Sequence, residues 1–267
     1  MTFKEKYGST ALVAGASEGL GAAYAYALAA RGLDLVLVAR RKELLEETAW
    51  QISTKHGVKV LPVVCDLADI DATERIQTAI GNTNISFLVY NAALSYIGPF
   101  LSTNADTHTN IAAVNMVTQL KMLHYFGGKM AEQHKGGIVI MTSIAGLQGS
   151  GYLSTYAATK AFNRVLAEGL WYEWKNKGVD VIACCAGATA TPNYINTNPA
   201  KASAMQPKEQ LSEEVVEACL QKIGKTPFFI SGTGNKLVSF LMQHIFSRKQ
   251  AINMMGDSMK KVYRIVD

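Results

Sequence analysis

The chain is predicted to fold as a single α/β domain: a doubly wound, seven-stranded parallel sheet with helices on both faces. Short apolar runs alternate with helical segments along almost the whole length, the sign of βαβ units joined by right-handed crossovers. Residues 33–39 read as a near-continuous apolar strand, the form expected when both faces of a parallel sheet are covered. No internal repeat or low-complexity linker interrupts the 267 residues, of which 49% are hydrophobic. One large core therefore needs no disulfide or metal to hold it.

The elements follow in order. Residues 10–14 form a short apolar strand, and the turn Gly15-Ala16-Ser17-Glu18-Gly19-Leu20-Gly21 leads into an alanine-rich helix that runs to about Ala30. Gly32 suits the residue after that helix, where glycine tolerates a left-handed backbone. After strand 33–39, a charged helix over 42–55 returns to strand 59–64. Helix 70–81, strand 85–90, a long helix over 105–132, strand 137–142, helix 154–176 and strands 179–184 and 227–230 complete the pattern. Residues 188–211, rich in Asn, Pro, Ala and Thr, break it as a long loop with a short helix at 199–205, and loops of that length are commonly functional lids. Residues 234–267 form a C-terminal extension.

Charge and cysteine usage exclude several classes. The formal charge is +5, and Lys236, Arg248, Lys249, Lys260, Lys261 and Arg264 stand against Asp257 alone, while the remainder is balanced. A nucleic-acid surface would spread basic residues over the folded body, so no nucleic-acid partner is expected. The charged start Met1–Tyr7 lacks a secretory apolar core, and no apolar run is long enough to cross a bilayer. Cys65, Cys184, Cys185 and Cys219 include no C-x-x-C pair and read as buried thiols of a cytoplasmic protein. His56, His108, His124, His134 and His244 are scattered, which predicts no metal site.

The informative residues lie at the carboxyl ends of the predicted strands, where open α/β sheets bind ligands. Gly15 allows a sharp exit from the first strand, and Gly19 and Gly21 let a pyrophosphate approach the backbone and the helix N-terminus. Ser17, Glu18 and Leu20 line the same turn. An NAD site usually carries an Asp or Glu after the second strand. Arg40 and Arg41 stand there instead and suit a 2′-phosphate, which predicts NADP(H). Asp66, with Leu67 beside it, is expected at the adenine, and Asn91, with Ala92, at the ribose side. Tyr156 and Lys160 share one helix face. A nearby ammonium lowers a phenol's pKa towards working pH, and the phenol can then exchange a proton with a carbonyl or alcohol oxygen. Ser143 ends the fifth strand, able to hydrogen-bond the reacting oxygen; alternation turns its neighbour Thr142 to the opposite face. Asn115, polar in an apolar helix middle, reads either as an ordinary buried amide or as part of the site.

Together these residues resemble the short-chain dehydrogenase/reductase family over about residues 8–232. The family pattern T-G-x-x-x-G-x-G appears as Ala14-Gly15…Gly19-Leu20-Gly21, and N-N-A-G as Tyr90-Asn91-Ala92-Ala93. The resemblance implies a Rossmann-like fold and a catalytic tetrad of Asn115, Ser143, Tyr156 and Lys160. In it Tyr156 is general acid/base, Ser143 orients the carbonyl, Lys160 also holds the nicotinamide ribose, and Asn115 positions a relay water. Ala186-Gly187 replaces the usual P-G motif and leaves Thr189 and Thr191 to meet the nicotinamide amide. A closer likeness, to bacterial NADP-dependent 7beta-hydroxysteroid dehydrogenases, rests on Glu5-Lys6-Tyr7-Gly8, Val38-Ala39-Arg40-Arg41, Gly178-Val179-Asp180-Val181, Thr191-Pro192 and Met255-Gly256.

The expected reaction is metal-free hydride transfer between NADPH and a ketone or secondary alcohol, with a hydroxysteroid of bile-acid type among the candidates. An apolar pocket is expected from Tyr194, Ile195 and Met205 of the loop and Phe240, Leu241, Met242, Ile245, Phe246, Met254 and Met255 of the tail. The alternatives are a reductase of acyl thioesters or small carbonyls in the same family, a non-catalytic NADP-binding sensor, and membrane-surface attachment through the basic tail. By resemblance the two long helices form the contacts of a homodimer or homotetramer.

Overall fold

The computed structural model describes residues 1–200 and 208–266. Seven strands, β1 (Thr10–Ala14), β2 (Asp34–Ala39), β3 (Val60–Val64), β4 (Phe87–Tyr90), β5 (Gly136–Ser143), β6 (Val179–Ala186) and β7 (Phe228–Ile230), form one sheet in the order β3-β2-β1-β4-β5-β6-β7. Every pairing is parallel. Interior strands such as β4 are buried at every residue, which explains their unbroken apolar sequences. At the β3 edge Pro62 is tolerated, because an edge strand can leave one side of its ladder without a donor.

Alternating side chains feed two cores. Ala11, Val13, Leu35, Leu37, Phe87 and Val89 face helices α2 (Gly19–Ala29) and α3 (Lys42–His56), while Leu12, Ala14, Val36, Val38, Leu88 and Tyr90 face α4 (Ala72–Ile80) and the long helix α5. Helix α5 is a continuous run of Ala105–Ala112, Ala113–Val117, Thr118–Met122, Leu123–Gly127 and Gly128–Glu132, with π turns in the second and fourth pieces. The α6 helix (Ser154–Trp174) covers the same face as α5, whereas Val215, Val216 and Cys219 of α8 (Ser212–Leu220) join the first core. Each fully buried aliphatic side chain contributes about 1.5–3 kcal/mol through loss of contact with water.

Other elements escape the alternating pattern. A short helix α1 (Phe3–Tyr7) starts at a capping box between Thr2 and Glu5. Its Phe3 and Tyr7 rings pack on Phe87, and the Tyr7 hydroxyl donates to Asp180 Oδ2 at 2.8 Å. The loop after β6 forms α7 (Pro192–Asn196), capped by Thr191. The helix expected at 199–205 does not include Pro199 or Ala200, and its remainder lies outside the described residues. The extension folds into α9 (Thr233–Phe240), continued by a π turn over Leu241–Ile245, and α10 (Arg248–Tyr263). Among the described residues no helix is long and apolar enough to cross a membrane.

The strand order turns back on itself at β1 and β4, which are neighbours. Connections there leave in opposite directions and open a crevice above the strand ends. Gly178, which introduces β6, shows how tightly the frame is closed: its φ is +69°, and an added Cβ would fall 2.1 Å from the His134 carbonyl oxygen. Gly178→Ala is expected to lower unfolding free energy by about 2 kcal/mol or more, measured by urea denaturation; an unchanged midpoint and slope would contradict that packing.

Candidate active site

The glycine turn forms the floor of the crevice. Gly15 leaves β1 at φ +81°, and its added Cβ would strike Ala92 Cα at 2.7 Å. Gly21 is pressed harder, since a Cβ would sit 1.8 Å from the Gly15 carbonyl oxygen and 2.8 Å from Asn91 Nδ2. Asn91 explains that crowding, for its Nδ2 donates to the Gly15 carbonyl at 2.9 Å. The side chain expected beside a ribose thus locks β4 to the turn. The cradle is built from backbone, and the first amides of α2 open into it, as an anion site requires. Leu20 is half-buried there.

Arg40 and Arg41 stand across the turn from Ser17 and Glu18. Arg40 is exposed. Arg41 Nη2 donates to Ser17 Oγ at 3.1 Å and pairs with Glu18 Oε1 at 2.7 Å. Asp66 lies half-buried at the end of the neighbouring strand, where its Oδ1 accepts from the Ala68 amide at 3.0 Å. Leu67 follows, its side chain buried in the core and its carbonyl accepting from Thr118 Oγ1 at 2.8 Å. Thr191 reaches over the floor, for a Cβ on Gly19 would meet it at 3.0 Å. Its hydroxyl accepts from the Tyr194 amide, whereas the Thr189 hydroxyl donates to the Gly187 carbonyl.

Ser143, Tyr156 and Lys160 converge on the rim from β5 and α6. Ser143 is the last residue of β5, so its side chain leaves the ladder where the chain turns. It hydrogen-bonds Tyr156, which favours the phenolate, yet loss of hydration outweighs that effect and pushes the phenol up to about 12. Lys160 is 3% exposed and donates to the Met141 carbonyl at 3.0 Å; its Nζ stands 5.5 Å from the centroid of the Tyr156 ring. This corrects the expected phenol acidified by its neighbour. A buried ammonium takes the nearest strong acceptor, here a strand carbonyl, and burial lowers Lys160 itself to about 8. The protonated phenol is the resting form at neutral pH.

Asn115 is fully buried in the first π turn of α5. Its Nδ2 donates to the Leu94 carbonyl and Thr159 Oγ1, and its Oδ1 accepts from the Leu94 amide. Both donors and the acceptor are engaged, so the side chain braces the loop after β4 against α6, and contact with a relay water would fall to the backbone.

The tail meets this site by a route the sequence did not disclose. Arg248 donates to the Leu147 carbonyl at 3.2 Å, Lys260 lies 5.5 Å from the Tyr152 ring, and the Val262 carbonyl accepts from the Ala200 amide at 2.8 Å. Helix α10 therefore lies along the segment before Tyr156 and touches the loop after β6. Tyr263 ends that helix close enough for its ionised form to raise both Tyr156 and Tyr194, although burial is the larger cause for each. The signal for α10 was its capping box, Ser247 with Gln250; nothing in the sequence pointed to Tyr263.

The expected apolar lining is only partly present. Met242 is buried and Tyr194, Leu241, Phe246 and Met255 are half-buried, but Ile195, Phe240, Ile245 and Met254 are exposed. Met254 lies on the exposed side of α10, whose buried residues are Ala251, Met259 and Val262, while α7, which carries Ile195, buries none of its residues. Met205 lies outside the described residues.

The sequence profile of the short chain dehydrogenase family matches residues 9–202. A 7beta-hydroxysteroid dehydrogenase from Clostridium sardiniense is 35% identical over 240 residues, covering 88% of this chain and 90% of that protein. The structure from a study of 7beta-hydroxysteroid dehydrogenase stereoselectivity superposes with a TM-score of 0.90 at 31% identity, covering 96% of this chain and 99% of the other. A short-chain dehydrogenase from Sphingobium yanoikuyae in complex with NADPH gives 0.75 at 27% identity, with 92% of each chain covered.

The buried cation has a stability consequence. Because the folded value of Lys160 lies below its ordinary 10.5, the native state binds fewer protons between about pH 8 and 10.5. The penalty is full below that window and disappears as pH rises through it. Lys160→Met is expected to gain about 1–3 kcal/mol of stability at pH 7, with the gain shrinking towards pH 10.5 in urea titrations. A pH-independent difference would show that burial is not its source.

Proposed function

The chain belongs to the short-chain dehydrogenase family, whose members are nicotinamide-dependent oxidoreductases, and from that premise we propose that it uses NADP(H) to interconvert a ketone and a secondary alcohol on a bulky lipophilic molecule of the hydroxysteroid type. The observation that carries the reading is the meeting of Ser143, Tyr156 and Lys160 at the rim that also holds the glycine turn and the arginine pair. The resemblance to 7beta-hydroxysteroid dehydrogenases over most of both chains supports the steroid class. The bound cofactor supplies the hydride; the protein supplies placement and the proton.

The backbone of Gly15–Gly21 would hold the pyrophosphate, Arg40 and Arg41 the 2′-phosphate, Asp66 and the Leu67 amide the adenine side, and Thr189 and Thr191 the nicotinamide amide. Ala92 and Asn91 keep that groove in shape. Ser143 Oγ would orient the substrate oxygen, and Tyr156 would give it a proton during reduction. The phenol, pushed up to about 12, carries that proton at neutral pH, as its role of proton donor requires. Lys160 would hold the nicotinamide ribose, with Asn115 bracing the frame. One domain serves the whole reaction, with the loop 188–211 and the extension 234–267 flanking the substrate.

The reading also carries a cytoplasmic setting, supported by four free buried thiols, and a homodimer or homotetramer. Exposed Val117 and Leu120 on α5 and Val165 and Tyr172 on α6 support contact between copies through the two long helices.

Tyr156→Phe is expected to lower kcat by about 10²–10⁴ while NADPH binding, followed by fluorescence, survives; wild-type turnover on a confirmed substrate would overturn the assigned role. Arg40→Asp should shift preference towards NADH, and equal kcat/KM for both cofactors in the wild type would overturn the NADP(H) reading. Reduction should be level through neutral pH and decline above about pH 8, as Lys160 loses its charge. A pH profile that rises there would contradict the role of the ammonium. A panel of lipophilic ketones and bile acids, read by NADPH oxidation, tests the substrate class.

A further inference from the structure

Glu18 sits in the middle of the glycine turn, where a carboxylate and a bound phosphate would repel. It is the N-cap residue of α2 but makes no side-chain capping bond. Its carboxylate turns away from the helix and pairs with Arg41 at 2.7 Å, through the same Nη2 that donates to Ser17 Oγ at 3.1 Å. The pair is only partly exposed on the glutamate side, at 26% against 50% for the arginine. One face of the guanidinium fork is therefore already occupied by an anion.

Two consequences follow from simple electrostatics. A 2′-phosphate held by Arg41 would share that guanidinium with Glu18, so two negative groups would stand about one guanidinium's width apart and repel. A nucleotide lacking the phosphate meets the opposite situation, because a carboxylate is the group that accepts from ribose hydroxyls in NAD sites. Arg40 has no such restraint and is exposed.

We infer that Glu18 is a specificity-determining residue that weakens the grip on a 2′-phosphate and accepts from the ribose diol when the phosphate is lacking, so that the chain retains use of NAD(H). The inference rests on the arginine-pair reading given above. It concerns how far the preference for NADP(H) extends, and predicts that the preference is held down from within the turn.

The test is equilibrium binding, by calorimetry, of adenosine 2′,5′-bisphosphate and adenosine 5′-monophosphate to wild type, Glu18→Gln and Glu18→Ala. Both substitutions should widen the affinity gap in favour of the bisphosphate by about tenfold, and the ratio of kcat/KM for NADPH over NADH should rise with it. A gap that stays the same or narrows in both variants overturns the proposal; narrowing would mean that Glu18 prepares Arg41 for phosphate. A wild type that holds the two probes equally overturns the NADP(H) reading. The role of Glu18 is then decided by the variants alone, a gap opening in favour of the bisphosphate supporting it and continued equality overturning it.

Discussion

The bond from Asn91 to the Gly15 carbonyl, with Gly21 pressed against both, is the constraint on which the upper rim depends. It joins the ends of β1 and β4 at the place where the strand order reverses. Without that join the turn would be an ordinary flexible loop; with it, a row of backbone amides is held open and rigid. The cost is an exclusion of side chains, since no Cβ fits at position 21. Parallel pairing then brings the arginines of the next strand end within reach of the turn, and the acidic residue inside it captures one of them.

The proton-handling half of the site obeys a different rule. Its polar groups are buried or half-buried rather than crowded by backbone, and each takes a near partner. Lys160 takes the Met141 carbonyl, Tyr156 takes Ser143, and Asn115 takes Leu94 and Thr159. An ammonium with no carboxylate beside it among the described residues is an expensive group to keep in a core. Its retention at 3% exposure is a cost in stability that the proposed chemistry accounts for.

Much of this was legible in the sequence. Strands covered on both faces are written as apolar runs, and all seven were found within a few residues of their ends. The glycine turn, the arginine pair and the Ser143, Tyr156 and Lys160 set were also visible, because helix spacing and strand ends bring such residues to one rim. What stayed hidden depends on depth and on path. Spacing put Lys160 beside Tyr156, but the bond to Met141 arises only when α6 lies on β5. The sign of the phenol's shift followed from that depth. Leu67 and Thr118 are far apart in sequence, and so are Tyr263 and Tyr156. Period and composition carry no record of such meetings. The two π turns of α5 were equally silent, as one extra residue in a turn leaves the apolar pattern nearly unchanged.

The short helix at the start of the chain lies under the sheet with its tyrosine bound to Asp180, 173 residues further on. Its ring also rests on Phe87, so the helix is fastened to β4 and β6 together. Fraying of that segment breaks contacts across two strands, and its exposure is coupled to loosening of the sheet itself.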